Sequence, residues 1–169
     1  MPLWTAVEPL TPAHVLTGFT CGDEDMDKWV HSTAQDAQKR GASNVHVCTH
    51  PKQGVLAFFT LSSHTVKGID VHNKHCGGLT IVPATLLGRM GRHVSLRPQK
   101  PGAALLMEAF KVSVLASKAV ASRLIVVDAK NERLAQWYEE IGFRRTTADP
   151  LCLTFKMSSA RQAVEHFFS

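Results

Sequence analysis

Met26, Trp29, Val30, Thr33, Ala34 and Ala37 fall at i, i+3, i+4, i+7, i+8 and i+11, one face of a helix. Asp23, Glu24, Asp25 and Asp27 stand in its first turns and Lys39 and Arg40 in its last, both favourable to the helix dipole, and Gly41 can cap it. Residues 43–50 then alternate apolar and polar, Lys52-Gln53-Gly54 forms a turn, and residues 54–66 supply the partner strand of a hairpin. Residues 67–80 are polar and read as a loop, and residues 86–96 as a strand entered after Pro83. A long apolar helix is predicted over 101–121 and a buried strand over 124–127. Asn131 can cap a helix that carries Leu134, Trp137, Tyr138 and Ile141 on one face and stops at Gly142. Residues 143–147 and 151–157 read as strands and 158–168 as a short amphipathic helix. The order α, β, β, β, α, β, α, β, β predicts a mixed α/β fold with a partly antiparallel sheet.

A chain of 169 residues suits one domain, 1–169, and no repeat or linker divides it. No apolar window is long enough to span a membrane. Residues 1–6 show neither a basic region nor a long apolar run, so no signal peptide is expected. The four cysteines, Cys21, Cys48, Cys76 and Cys152, are scattered, which suits reduced thiols and a cytoplasmic setting. The net charge of +5 is uneven. Arg89, Arg92, Arg97, Lys100, Lys111, Lys118 and Arg123 face a single acid, Glu108, over that stretch. Such an excess suits a polyanionic partner and equally a solvated basic face.

The segment Gln99-Lys100-Pro101-Gly102-Ala103-Ala104 leads into the long helix. A helix start has unpaired N–H groups and a positive dipole end. Small residues there let a diphosphate approach the backbone, and Arg97 and Lys100 add charge; an ordinary helix start reads the same way. The spacing excludes a Walker loop and a G-x-G-x-x-G turn. His72, His75 and Cys76 share one loop, but no fourth ligand follows at a recognised spacing, so no metal site is expected. Cys48 and Cys152 lie in apolar, strand-like settings and read as inert thiols. Trp29 and Trp137 lie on helix faces and read as core, and Glu139 and Glu140 as solvated helix charges.

Gln99, Gly102 and Ala104 match the [RQ]-x-x-G-x-[GA] loop of the GNAT acetyltransferases, and the run from Asn131 through Trp137-Tyr138 to Gly142-Phe143 resembles that family's second signature. F-T-C-G-D-E-D-M-D-K-W-V, at 19–30, is similar to a segment of the GNAT toxins that acetylate aminoacyl-tRNA and are partnered by ribbon-helix-helix antitoxins. Segments 54–62, 82–90 and 153–157 match that subfamily in order, and the resemblance spans roughly 5 to 165. It departs at one place: nine residues separate Arg89 from Gln99 where the toxin pattern has about seven.

The resemblance implies the GNAT fold, a twisted mixed sheet with flanking helices, and acetyl-CoA as cosubstrate. It implies Tyr138 as the group that protonates the leaving thiolate. It places Gln99, Lys100, Pro101, Gly102, Ala103, Ala104 and Asn131 at the cofactor. Counting back from the loop, His93 and Val94 would bond the pantetheine arm; counting forward from Arg89, Met90 and Gly91 would. The acceptor would be an aminoacyl-tRNA met by Arg89, Arg92 and Lys111, and the protein a homodimer with an antitoxin partner. A small-molecule or protein N-acetyltransferase, or a catalytically weak GNAT domain serving as a binding module, are the alternatives.

Overall fold

The computed structural model describes residues 3–169. The predicted hairpin is present as β2 (Asn44–His50) and β3 (Gly54–Lys67), paired antiparallel, with Gly54 at φ +73° where a side chain would be strained. An edge strand, β1 (Ala6–Pro9), pairs antiparallel with β2 from Ala6 opposite Thr49 to Pro9 opposite His46. It is four residues long and ends at a proline, so its pattern alone does not announce a strand. The first predicted helix is two, α1 (Glu24–Ser32) and α2 (Ala34–Arg40), broken at Thr33 (φ −127°). Asp23 caps α1 by accepting from Met26 N–H, and Gly41 closes α2 in the left-handed conformation.

β4 covers Ile81–Arg92, five residues earlier than the pattern suggests. Pro83 lies inside it, ahead of the first residue paired with the next strand, where its missing N–H costs nothing. Residues 94–96, expected to extend β4, instead open a 3-10 segment, Val94–Gln99. The 67–80 loop holds a 3-10 turn and a one-turn helix, α3 (Asn73–Cys76). α4 (Gly102–Ser117) is the long apolar helix. β5 (Leu124–Asp128) pairs parallel with β4 and antiparallel with β7 (Cys152–Lys156), which also takes the two-residue β6 (Arg144–Arg145). α5 (Glu132–Ile141) and α6 (Met157–Phe167) complete the chain. The strands hydrogen-bond in the order β1-β2-β3-β4-β5-β7-β6. This is the expected mixed sheet flanked by helices. Among the described residues no helix is long and apolar enough to cross a membrane.

Two compact units can be distinguished, and β3, β4 and α4 run from one into the other. The first takes residues up to Ser62 with Arg89–Glu108. Its core packs Phe19 from the loop before α1, Val30 from the amphipathic face of α1, and Val45, Val47 and Phe58 from the hairpin. The second takes Ser63–Gly88 and Ala109–Ser169. Val82, Ala84, Leu124 and Val126 fill one side of its strands. A cluster of Phe110, Phe143 and Phe155, with ring centroids 4.9 to 6.0 Å apart, fills another. Burying each such ring contributes about 2–3 kcal/mol, so these clusters dominate the packing.

Candidate functional site

In the first unit the loop before α4 is shaped by its own backbone. Lys100 is the one non-glycine residue among those described with positive φ (49°), and its N–H bonds Arg97 O at 3.1 Å. That turn ends the 3-10 segment and delivers Pro101, which is buried, to the helix start. The first helical bond runs from Leu105 N–H to Pro101 O at 2.9 Å. The N–H groups of Gly102, Ala103 and Ala104 precede it and find no acceptor among the described residues. Gln99, Lys100 and Ala103 are exposed, and Gly102 and Ala104 half-exposed. Three free donors, small side chains and one ammonium make a cradle that fits a diphosphate.

The strand preceding this loop carries a correction. His93 lies just beyond β4, its N–H donates to Leu56 O at 2.7 Å, and Val94 N–H donates to Thr20 O at 2.9 Å. Those two donors are spent inside the protein and are not offered to a pantetheine arm. The two extra residues between Arg89 and Gln99 are taken up by the tighter 3-10 winding. Met90 and Gly91, from the other count, lie on β4 itself. Gly91 is there for space: a Cβ at that position would press into the ring of Phe58 at 2.6 Å.

Arg89 leaves β4 exposed, with its guanidinium carbon 4.6 Å from the centre of the Trp29 ring and its N–H donating to Thr60 Oγ1 at 2.8 Å. Trp29 in turn stacks on Phe58, 6.1 Å away and 20° from parallel. Trp29 is therefore core on one side and a cation platform on the other. Arg92 is exposed at the end of β4.

The C-G of the 19–30 segment has a structural reading. Gly22 (φ +86°) makes room for Arg97, whose guanidinium donates to Cys21 O at 3.4 Å. Asp27 gathers the same loop by accepting from Thr20 Oγ1 and Cys21 N–H, each at 2.8 Å. Burial works against the Asp27 charge, but these bonds outweigh it and hold the carboxyl below its ordinary range. Asp27 was not singled out by spacing, since it reads as one more acid in a helix's first turn. Burial pushes the thiols of Cys21, Cys48 and Cys152 upward, so none is an activated nucleophile.

In the second unit Asn131 caps α5 by accepting from Leu134 N–H at 3.0 Å. Among the described residues none accepts from its amide nitrogen. Tyr138 is buried on the inner face of α5, packed edge-on against Trp137 (5.0 Å) and Phe143 (5.1 Å). Burial pushes its hydroxyl up to about 12, and no described residue accepts from its O–H. It stays protonated at neutral pH, as a proton donor must. Glu139 is not a free helix charge: Arg145 holds it at 2.8 Å while gripping Glu132 at 2.6 Å. Neither glutamate is placed as a general base. Lys111 is exposed on α4, 4.7 Å above the ring of Phe168. His75 turns inward and bonds Thr154 Oγ1 at 2.7 Å. Among the described residues no three His, Cys, Asp or Glu side chains are grouped to hold a metal ion.

No protein-family model matches the chain. Solved structures do. A tyrosine-to-phenylalanine mutant of KacT superposes with a TM-score of 0.84 at 21% identity, covering 94% of this chain and 98% of that one. AtaT complexed with acetyl-methionyl-tRNAfMet gives 0.83 at 23% identity over 97% of this chain and 99% of that one. AtaTR bound with acetyl-CoA gives 0.79 at 23% identity over 94% and 96%. The fold built here from a parallel β4–β5 pair, α4 and a capped α5 is the GNAT fold of the KacT and AtaT toxins.

Proposed function

We propose that the chain, 1–169, is a single acetyl-CoA-dependent N-acetyltransferase domain that acetylates the α-amine of aminoacyl-tRNA. The observation that carries this reading is the open start of α4, where three backbone donors and Lys100 converge on a surface of small residues. The similar structures support it, since AtaT is complexed with acetyl-methionyl-tRNAfMet in one and AtaTR is bound with acetyl-CoA in another. Gln99, Lys100, Pro101, Gly102, Ala103 and Ala104 hold the diphosphate, and the Asn131 amide nitrogen supplies a further donor. The pantetheine arm follows Met90–Arg92 of β4 rather than His93 and Val94.

Tyr138 manages the proton. The amine nitrogen attacks the thioester carbon, the C–S bond breaks, and sulfur leaves with the bonding pair. A thiol of this kind has a pKa of about 8.5, some 3 to 4 pKa units below Tyr138. Leaving Tyr138 as phenolate would cost on the order of 5 kcal/mol. The O–H therefore gives its proton to sulfur only as it regains one from the ammonium that the attack creates. The amine's proton ends on coenzyme A and Tyr138 is restored. An α-amine has a pKa of about 8 and is partly neutral at pH 7, so no carboxylate base is required. That agrees with the engagement of Glu132 and Glu139 by Arg145. KacT and AtaT have both been studied with a tyrosine replaced by phenylalanine, and Tyr138 is this chain's one tyrosine.

Arg89, Arg92 and Lys111 meet tRNA phosphates. The protein works as a cytoplasmic homodimer neutralised by a ribbon-helix-helix antitoxin; AtaT bound to the C-terminus of AtaR supports an antitoxin partner. The test is to incubate the protein with radiolabelled acetyl-CoA and either charged or deacylated tRNA. Label enters only the charged pool and leaves with the amino acid on mild alkaline hydrolysis. Labelling of polyamines or lysine peptides instead, with none in charged tRNA, overturns the reading.

A further inference from the structure

A cleft of about 380 Å³ opens in the second unit among the start of β5, the end of β7 and the first turn of α6. Arg123, Lys156 and Arg161 line it, and no carboxylate does. None of these residues belongs to the α4 loop, to Tyr138 or to the three given to tRNA, Arg89, Arg92 and Lys111, although Arg123 closes the basic run seen in the sequence. Their charge is not neutralised locally: Arg161 and Lys156 have no ion-pair partner among the described residues. Arg123 is held in place before any ligand arrives. Its Nε donates to His75 O at 2.8 Å and one terminal nitrogen to Lys74 O at 3.2 Å, and the guanidinium lies where a Cβ on Gly77 would stand. Carbonyl contacts fix a guanidinium without cancelling its charge, and the other terminal nitrogen keeps both its hydrogens. The neighbouring field is positive as well. His75 is pushed down to about 4, by burial first and then by Arg144, His72, Lys156 and Arg123.

The remaining walls decide what kind of anion fits. Leu79, 44% exposed, and Met157 give apolar surface beside the cations, and Ser158 adds a hydroxyl. That mixture suits a phosphate oxyanion carried on a sugar and base. Arg clusters also take acidic peptides. A peptide carboxylate brings no flat base to lie on Leu79 and Met157, and polyglutamate competition separates the two.

We propose that the cleft lined by Arg123, Lys156 and Arg161 is a phosphodiester-binding subsite that anchors an RNA strand at a surface separate from the acetyl-CoA loop. It rests on the reading of tRNA as substrate, and extends it by assigning contacts outside the 89–111 stretch.

The experiment compares wild type with Lys156→Glu/Arg161→Glu in filter binding to charged tRNA and to polyuridylate across a salt series, with polyglutamate as competitor. The variant is expected to bind both RNAs at least 10-fold more weakly. Its slope of log affinity against log salt falls by about 1.5 to 2, because two phosphate contacts are lost. Acetyl-CoA affinity by calorimetry stays at the wild-type value. Arg161→Glu alone, at an exposed position, gives about half the change in slope and serves if the double variant fails to fold. RNA binding and salt slope equal to wild type overturn the subsite, as does displacement of polyuridylate by polyglutamate at equal charge. Wild-type protein that labels charged tRNA while the variant binds RNA normally removes the subsite and leaves the acetylation reading intact. Wild-type protein that binds RNA through the cleft without labelling it does the reverse.

Discussion

α4 and α5 begin in opposite ways. α5 closes its own start: Asn131 accepts from Leu134 N–H, and Glu132 in the first turn is gripped by Arg145. In α4 the first three N–H groups find no acceptor among the described residues. α5 is amphipathic and carries the Tyr138 hydroxyl, the proposed proton donor, in the body of the helix. α4 is apolar nearly throughout, and the cradle proposed for the diphosphate sits at its open end. A start that the protein satisfies itself is a stability device, and one left open is a place for an anion. The two signatures that resemble the GNAT family therefore do different physical work, although each spans a helix start.

The largest effect that separates them is on turnover. Tyr138→Phe keeps the ring against Trp137 and Phe143 and removes only the O–H. Turnover on charged tRNA is expected to fall by about 10²- to 10⁴-fold with acetyl-CoA affinity retained. Wild-type turnover in that variant would return Tyr138 to the core. Next in size, Gly102→Asp puts a carboxylate at the open end. An acid there favours the helix dipole, so the melting temperature is expected to hold or rise. Acetyl-CoA affinity is expected to drop about 10- to 100-fold, the worth of the charge-assisted bonds lost. A fall in both would mean that the helix start is structural.

Opening the closed end is a smaller perturbation. Asn131→Ala is expected to cost about 1 kcal/mol in denaturant unfolding. Asn131→Asp keeps the cap acceptor and restores that loss, and reduces acetyl-CoA affinity several-fold because the amide donor is gone. Smallest of all is the effect of pH on the donor itself. With Tyr138 held at about 12, its O–H stays protonated through neutral and mildly alkaline conditions. Turnover should rise as the acceptor amine deprotonates near pH 8 and show no descending limb below about pH 10. A fall beginning near pH 8 would assign proton donation to another group.

Elements whose ends carry their own chemistry are legible in the sequence. Asn131 and Gly142 bracket α5 to the residue, and Gly41 ends α2 where expected. β1 is legible only through its partner, because four residues at a sheet edge lack a period of their own. β4 is displaced because Pro83 resembles an entry signal, and because Val94 and Leu96 pass for strand while Pro98 and the turn at Lys100 wind residues 94–99 into a 3-10 segment. Thr33 sits on the apolar face of one predicted helix, and nothing in that period shows the break there. The α4 loop was readable because its small residues are unusual before a long helix. The role given to His93 and Val94 was not, since backbone donors are spent by long-range partners, here Leu56 and Thr20. The Arg123 cleft joins residues from β4, α4, β7, α6 and the loops beside them, so it has no contiguous signature.

Tyr138 being the chain's only tyrosine has an optical consequence. The ultraviolet absorbance change that accompanies phenolate formation comes from this one oxygen, with no background from other phenols to subtract. Its ring touches Trp137 at 5.0 Å, close enough for excitation absorbed by the phenol to pass to the indole. The protein thus carries an unlabelled chromophore pair at the proposed proton donor, and the absorbance of Tyr138 can be followed without altering a single residue.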